Sequence, residues 1–220
     1  MVKFARREPS AVLLAAQISA VLLYPFMEDS GVGRALFSVF GIAILGLVVL
    51  AVRSSPGLTW VSLLLALPAT VLLLIQAITD SDDLLPYSSA LEAVLYFYAA
   101  GALIAYMLAD HVITKDELFA VGATFTLVAW AFAYTYTVCQ AIYPGSFTAA
   151  VDPERGRTWM ELLLFLSFTT LSSTGLSDVA PIRPFARGLV MLEMLAGLGY
   201  VAMVVSRLVG LLVMRPRNAD

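Results

Sequence analysis

The chain has 220 residues, of which 60% are hydrophobic and only 13% charged, and its mean hydropathy is +0.89. A soluble domain is about 45–50% apolar and about 25% charged, so this composition belongs to a chain solvated by lipid. A net charge of −3 speaks against a nucleic-acid binder, and one cysteine, Cys139, with one histidine, His111, exclude an intrachain disulfide and a Cys/His metal cluster.

Apolar runs separate at charged residues or Pro/Gly punctuation into six candidate spans: 11–27, 35–52, 58–79, 89–109, 118–143 and 185–214. Lys3, Arg6 and Arg7 before the first run imitate a signal peptide, but no clear small-residue cleavage pattern follows, so the run reads as a retained first span. Pro68 is expected to kink the third span. Glu92 stands early in the fourth, where a carboxylate near the outer interface can reach water. That span lacks the row of Arg or Lys that a voltage sensor uses. Trp130, Tyr134, Tyr136 and Tyr143 in the fifth read as packing and interface-belt aromatics.

Between the fifth and sixth spans the pattern changes. A polar loop, 144–158, leads to an apolar run, 159–171, too short to cross a bilayer, and then to the polar stretch Ser172, Ser173, Thr174, Gly175, Leu176, Ser177, Asp178. This reads as a re-entrant short helix followed by irregular backbone. Such backbone exists at membrane depth only where protein buries it or a water-filled cavity receives it. Carbonyls with Ser and Thr hydroxyls suit a cation, because they can replace its hydration shell, and the C-terminal end of the short helix adds partial negative charge.

Lys and Arg concentrate on the cytoplasmic side of membrane proteins. Lys3, Arg6, Arg7, Arg53, Lys115, Arg207, Arg215 and Arg217 fall on one side of a six-span topology with both termini cytoplasmic. Glu28, Asp29, Arg34, Asp80, Asp82 and Asp83 fall on the other, together with the charge-mixed loop of Asp152, Glu154, Arg155 and Arg157 and with Arg183 and Arg187.

The run 167–179, with Pro181, Pro184 and the apolar helix after it, resembles the pore helix, selectivity filter and inner helix of the tetrameric potassium channel superfamily. Residues 112–118, 143–147, 184–187, 192–200 and 207–210 resemble its bacterial six-span members. The family's usual filter reads Thr-Thr-Val-Gly-Tyr-Gly-Asp. Here the first glycine is Gly175, while Leu176 replaces the tyrosine and Ser177 the second glycine; Phe165 and Leu166 stand where pore-helix tryptophans are often found. Left-handed geometry costs a non-glycine residue ~1–2 kcal/mol, so Ser177 is expected to alter the outer filter. The single-glycine loop is also similar to those of Trk/Ktr-type potassium uptake proteins, which carry four pore repeats where this chain carries one. A homotetramer around a central axis is therefore expected.

The expected fold class is an all-α integral membrane protein with six transmembrane helices and a re-entrant pore helix and filter loop between helices 5 and 6. Residues 1–110 form an N-terminal four-helix membrane domain and 111–220 the pore domain. What the resemblance implies is a plasma-membrane, multi-pass channel passing monovalent cations, with potassium preferred, the alternative being a non-conducting membrane interaction subunit. The expected filter is Ser172, Ser173, Thr174, Gly175, Leu176 and Ser177, holding K+ or Na+, with Asp178 at its exit and Glu193 as its support. Gly197 and Gly199 are candidate gate hinges or close-packing positions. Transporters commonly show interrupted helices in both halves, whereas only one interruption is found here. No catalytic pair points to an enzyme, and no organic cofactor is expected.

Overall fold

The computed structural model describes residues 8–23, 31–53, 57–79, 83–109, 114–153, 155–159 and 162–214. Lys3, Arg6, Arg7, Glu28, Asp29, Asp80, Asp82, His111, Glu154, Arg215 and Arg217, and the side chain of Arg34, lie outside the described residues.

The described chain is mostly helical: α1 (Pro9–Leu23), α2 (Gly31–Arg53), α3 (Thr59–Thr79), α4 (Leu85–Leu108), α5 (Lys115–Ile142), a short composite helix, and α7 (Pro184–Met214). The composite helix is a π-helical stretch, Leu162–Ser167, running into the α-helical turn α6, Phe168–Leu171. Among the described residues, four helices are long and apolar enough to cross a membrane: α3, α4, α5 and α7. The apolar helix Pro9–Leu23 spans about 22 Å at 1.5 Å per residue, short of a hydrocarbon core of about 30 Å.

The core lies where α4 and α5 meet. Ala99, Ala100 and Leu103 on α4 are buried together with Ala123, Leu127 and Ala131 on α5. Small side chains let two helix backbones approach closely, which matters in lipid, where water supplies no force between apolar faces. The start of α5 is built for capping. The Thr114 hydroxyl accepts from the Glu117 amide at 3.2 Å, and Asp116 and Glu117 place carboxylates in the first turn, where the helix dipole favours them.

Asp116 also reaches a second helix. The Ser10 amide donates to Asp116 Oδ1 at 3.0 Å and the Ser10 hydroxyl to Oδ2 at 2.9 Å, so one carboxylate satisfies orphan donors at the start of α1. The neighbouring Glu117 pairs with Arg207 of α7 at 2.9 Å, and the Tyr200 hydroxyl donates to Val121 O at 2.6 Å. The first turns of α5 thus hold α1 and the far half of α7.

A small β ladder departs from the expected all-helical chain. Strand β1 (Phe147–Ala149) pairs antiparallel with β2 (Val179–Pro181) in the register Phe147 to Pro181, Thr148 to Ala180 and Ala149 to Val179. Backbone leaving α5 and backbone approaching α7 meet here, and pairing satisfies amides that a loop would otherwise leave to water. The ladder brings the entry and exit of the intervening segment to one end of the helices. The segment itself goes deep: Ser167 bonds Ala129 O, about 20 Å along α5 from Ile142, and Leu171 meets Gly197, about 20 Å along α7 from Pro184.

One further expectation is corrected. Glu92 does not reach water; it is 2% exposed, in a buried cluster with Tyr96 and Tyr134 at the α4–α5 contact. Antiparallel packing turns that face of α4 onto α5, where the Tyr96 and Tyr134 rings stack at 5.5 Å. Of the aromatics expected to pack or to line the interface, Trp130 and Tyr136 pack in the core, whereas Tyr143 is 37% exposed and stacks on Phe185 at 4.9 Å.

Candidate functional site

The site begins at the end of α6. A helix leaves its last carbonyls without partners, and a residue in left-handed geometry just past the end can turn following amides back onto them. Here Ser173, with φ 60°, takes that position. The Ser173 amide donates to Thr170 O at 3.0 Å and the Thr174 amide to Thr169 O at 2.9 Å, the two bonds of a Schellman cap. Gly175, with φ 65°, adds a second left-handed residue, and its amide also donates to Thr169 O, at 3.1 Å. The Ser172 hydroxyl stands 3.1 Å from that of Thr174, and the Thr174 hydroxyl donates to Thr169 O at 3.3 Å.

This pattern fixes where the carbonyls point. In a planar trans peptide the N–H is directed opposite to the carbonyl of the preceding residue. The amides of 173, 174 and 175 all turn towards the short helix, so the carbonyls of Ser172, Ser173 and Thr174 turn away from it. Among the described residues none of these three carbonyls accepts a hydrogen bond. All of 172–176 are exposed in the single chain. Three consecutive oxygens on one side of a short turn form a ligand row suited to a hard, weakly charged cation.

Beyond the row the chain closes quickly. Leu176 is 82% exposed and takes no part in the ladder. Ser177 does not adopt left-handed geometry; the Ser177 hydroxyl accepts from the Val179 amide at 3.1 Å and starts β2. In this turn the left-handed non-glycine residue is Ser173. Asp178 is exposed at the exit and, among the described residues, makes no hydrogen bond. The loop around this exit is pinned. The Gln140 side chain accepts the Arg157 amide at 2.7 Å and donates to Arg157 O at 2.9 Å, while the buried Arg157 guanidinium donates to the carbonyls of Asp152 and Arg155.

Behind the turn, α7 holds the short helix at two points one helical turn apart. Glu193 is fully buried; its Oε1 contacts the Ser167 hydroxyl, and its Oε2 accepts from the Tyr136 hydroxyl of α5. Four residues on, a Cβ on Gly197 would lie 2.1 Å from Leu171 O, so only glycine admits this approach. Gly199 has open space around it within the chain.

The structure thus gathers Ser172, Ser173, Thr174 and Gly175 in one turn, places Glu193 and Gly197 behind it, and leaves Gly199 away from it. Sequence reasoning missed Ser167, Tyr136 and Thr169. A serine inside an apolar run near a membrane carboxylate was the available signal for Ser167, whereas nothing in the sequence distinguished Tyr136 from its aromatic neighbours.

A family model described as an ion channel matches residues 93–214, more than half of the chain, covering α5, the short helix, the turn and α7. No curated protein and no solved structure matches the chain.

Proposed function

Because the chain belongs to the ion-channel family, we propose that it is a channel passing monovalent cations passively, with potassium preferred. Four copies surround a central axis, and α5, the short helix, the 172–177 turn and α7 of each contribute to the pore. The carbonyls of Ser172, Ser173 and Thr174 replace part of the ion's hydration shell, helped by the Ser and Thr hydroxyls, and K+ ions occupy the row during conduction. Asp178 concentrates cations at the outer mouth. Helices α1 to α4 pack outside the pore, the apolar runs 11–27 and 35–52 that contain much of α1 and α2 complete six spans, and both termini lie on the cytoplasmic side of the plasma membrane.

The observation that carries the reading is the row of three unbonded carbonyls turned away from the short helix by the amides of 173, 174 and 175. The alternation of left-handed Ser173 and Gly175 with the residues between them produces that row.

Flux of K+ and Na+ into liposomes holding the purified protein tests the proposal, with Gly175→Asp as the control. Gly175 already has positive φ and open space for a side chain, and Asp tolerates that geometry better than most residues. The control therefore meets no steric clash, costs modest backbone strain that a thermal melt of the variant measures, and puts a carboxylate beside the carbonyl row. Potassium-favouring flux that Gly175→Asp abolishes is the expected result. Equal K+ and Na+ flux would discard the selectivity, and no flux across voltages would favour a non-conducting interaction subunit.

A further inference from the structure

Ser167 presents a problem of hydrogen counting. Its hydroxyl oxygen lies within hydrogen-bond distance of Ala129 O and of Glu193 Oε1. A serine hydroxyl has one hydrogen to give. A backbone carbonyl has none, so if Ser167 donates to Ala129 the hydrogen in the Ser167–Glu193 contact must come from Glu193. The other carboxyl oxygen, Oε2, faces the Tyr136 hydroxyl, whose single hydrogen points at it. Every hydrogen is used once if the order runs Tyr136 to Glu193 to Ser167 to Ala129 O. An ionised Glu193 would instead set two acceptors against Ser167 with one hydrogen between them.

Burial leads the same way. Glu193 is 0% exposed, and among the described residues no cationic side chain pairs with it. A buried carboxylate without a counter-charge is costly, whereas a neutral acid with both oxygens hydrogen-bonded is not.

We propose that Glu193 is a neutral carboxylic acid whose own hydrogen is donated to Ser167, making it a positioning residue that fixes the filter-bearing helix to both α5 and α7. The position matters because Ser167 sits one turn before Leu171, after which the carbonyl row begins. Losing the chain of bonds removes the polar tie between the short helix and α7 at this level and leaves apolar packing, Leu166 with Ala186 and Val190, and the Gly197–Leu171 approach to hold it. This assignment deepens the channel reading in its second test, while its first test needs no conduction at all.

The first test is infrared spectroscopy of the purified protein in lipid at neutral pH, comparing wild type with Glu193→Gln. A protonated carboxyl has a carbonyl band that a carboxylate lacks, so the expected result is one carboxylic-acid band lost in the variant. No lost band overturns the proposal whether or not the protein conducts. The second test is the K+ to Na+ flux ratio of the same proteins together with Ser167→Ala and Tyr136→Phe. A glutamine amide donates to Ser167 and accepts from Tyr136 as the neutral acid does, so Glu193→Gln is expected to keep the wild-type ratio. Ser167→Ala and Tyr136→Phe, each breaking the chain at one link, are expected to lower it by up to about tenfold, the scale of one buried hydrogen bond. A Glu193→Gln ratio as low as that of Ser167→Ala would mean that the negative charge is what matters, and would overturn the proposal.

Discussion

Substituting Gly197 separates two roles that an inner-helix glycine can have. A Cβ built there lies 2.1 Å from Leu171 O and 2.8 Å from Leu171 C. Ordinary contact begins beyond 3.4 Å, so the alanine variant must move the Leu171 backbone by more than about 1 Å or shift α7 by as much. The obstacle is backbone and cannot rotate away. Overpacking of this kind costs ~1–3 kcal/mol. Gly199 is a matched control two residues away in the same helix, with nothing of its own chain within 4 Å. Both alanine variants gain the same ~1 kcal/mol of helix propensity, so the difference between them reports the contact at 197 alone. Thermal unfolding in detergent should place Gly197→Ala below Gly199→Ala by about 2–12 °C, using the conversion for chains of this size. The displaced atoms belong to the residue immediately before Ser172, so Gly197→Ala should also lower the K+ to Na+ flux ratio. Equal melting temperatures, or a Gly197→Ala variant with wild-type selectivity, would refute the claim that this glycine is kept for contact with the short helix. A gating defect confined to Gly199→Ala would assign a hinge to that position instead.

Three further outcomes follow from local geometry. Ser173 occupies the left-handed position of a Schellman cap, so Ser173→Gly should raise stability in thermal unfolding by up to about 1 kcal/mol, the strain relieved less the entropy glycine adds to the unfolded chain. Glu117 and Arg207 tie the start of α5 to the far half of α7, and a double-mutant cycle with Glu117→Gln and Arg207→Gln should return a coupling of ~0.5–3 kcal/mol. If α7 moves outward on opening, both single variants should also raise open probability in single-channel recordings, and unchanged gating in either would count against a latch. Arg157→Gln should leave the carbonyls of Asp152 and Arg155 without their donor and accelerate amide exchange across 147–157 while α4 and α5 stay protected.

Much of the fold was legible because a lipid-facing chain announces its helices by apolar runs alone. The expected span 58–79 differs from α3 by one residue at its start, and the expected 185–214 differs from α7 likewise. The short helix was legible for the same reason, since 159–171 is apolar yet too short to cross. What sequence could not give was the side of each helix that packs inward. Glu92 was placed near water because it is charged and early in its helix, but α4 turns that face onto Tyr134 of α5. The β ladder was illegible for a different reason: three residues per strand carry no alternation strong enough to read, and their pairing follows from the return of the chain to its starting end. In the candidate site the residue types were readable, whereas the hydrogen-bond directions that turn three carbonyls outward belong to the backbone and depend on two φ angles.

Those three carbonyls also bear on whether one chain can exist alone in a bilayer. Ser172, Ser173 and Thr174 are exposed, their carbonyls accept no bond among the described residues, and they lie about 20 Å along α7 from Pro184, inside the span of that helix. Each unsatisfied backbone group facing hydrocarbon costs several kcal/mol. The adjoining face of α7 adds Leu195 and Leu198, at 67% and 65% exposure, which lipid or protein can cover equally well. The apolar face therefore does not decide the assembly; on the proposed reading the carbonyls do, because they call for water or ions, and a water-filled space at that depth needs walls that the described residues of one chain do not supply. Closed cyclic assembly supplies them with the fewest kinds of contact. Cross-linking in lipid nanodiscs at decreasing protein-to-lipid ratio should therefore retain one closed oligomer, four chains on the proposed reading, down to the lowest ratio. A monomer that stays folded in lipid would mean that the 172–177 turn is covered within the chain, and the pore assigned to it would have to be withdrawn.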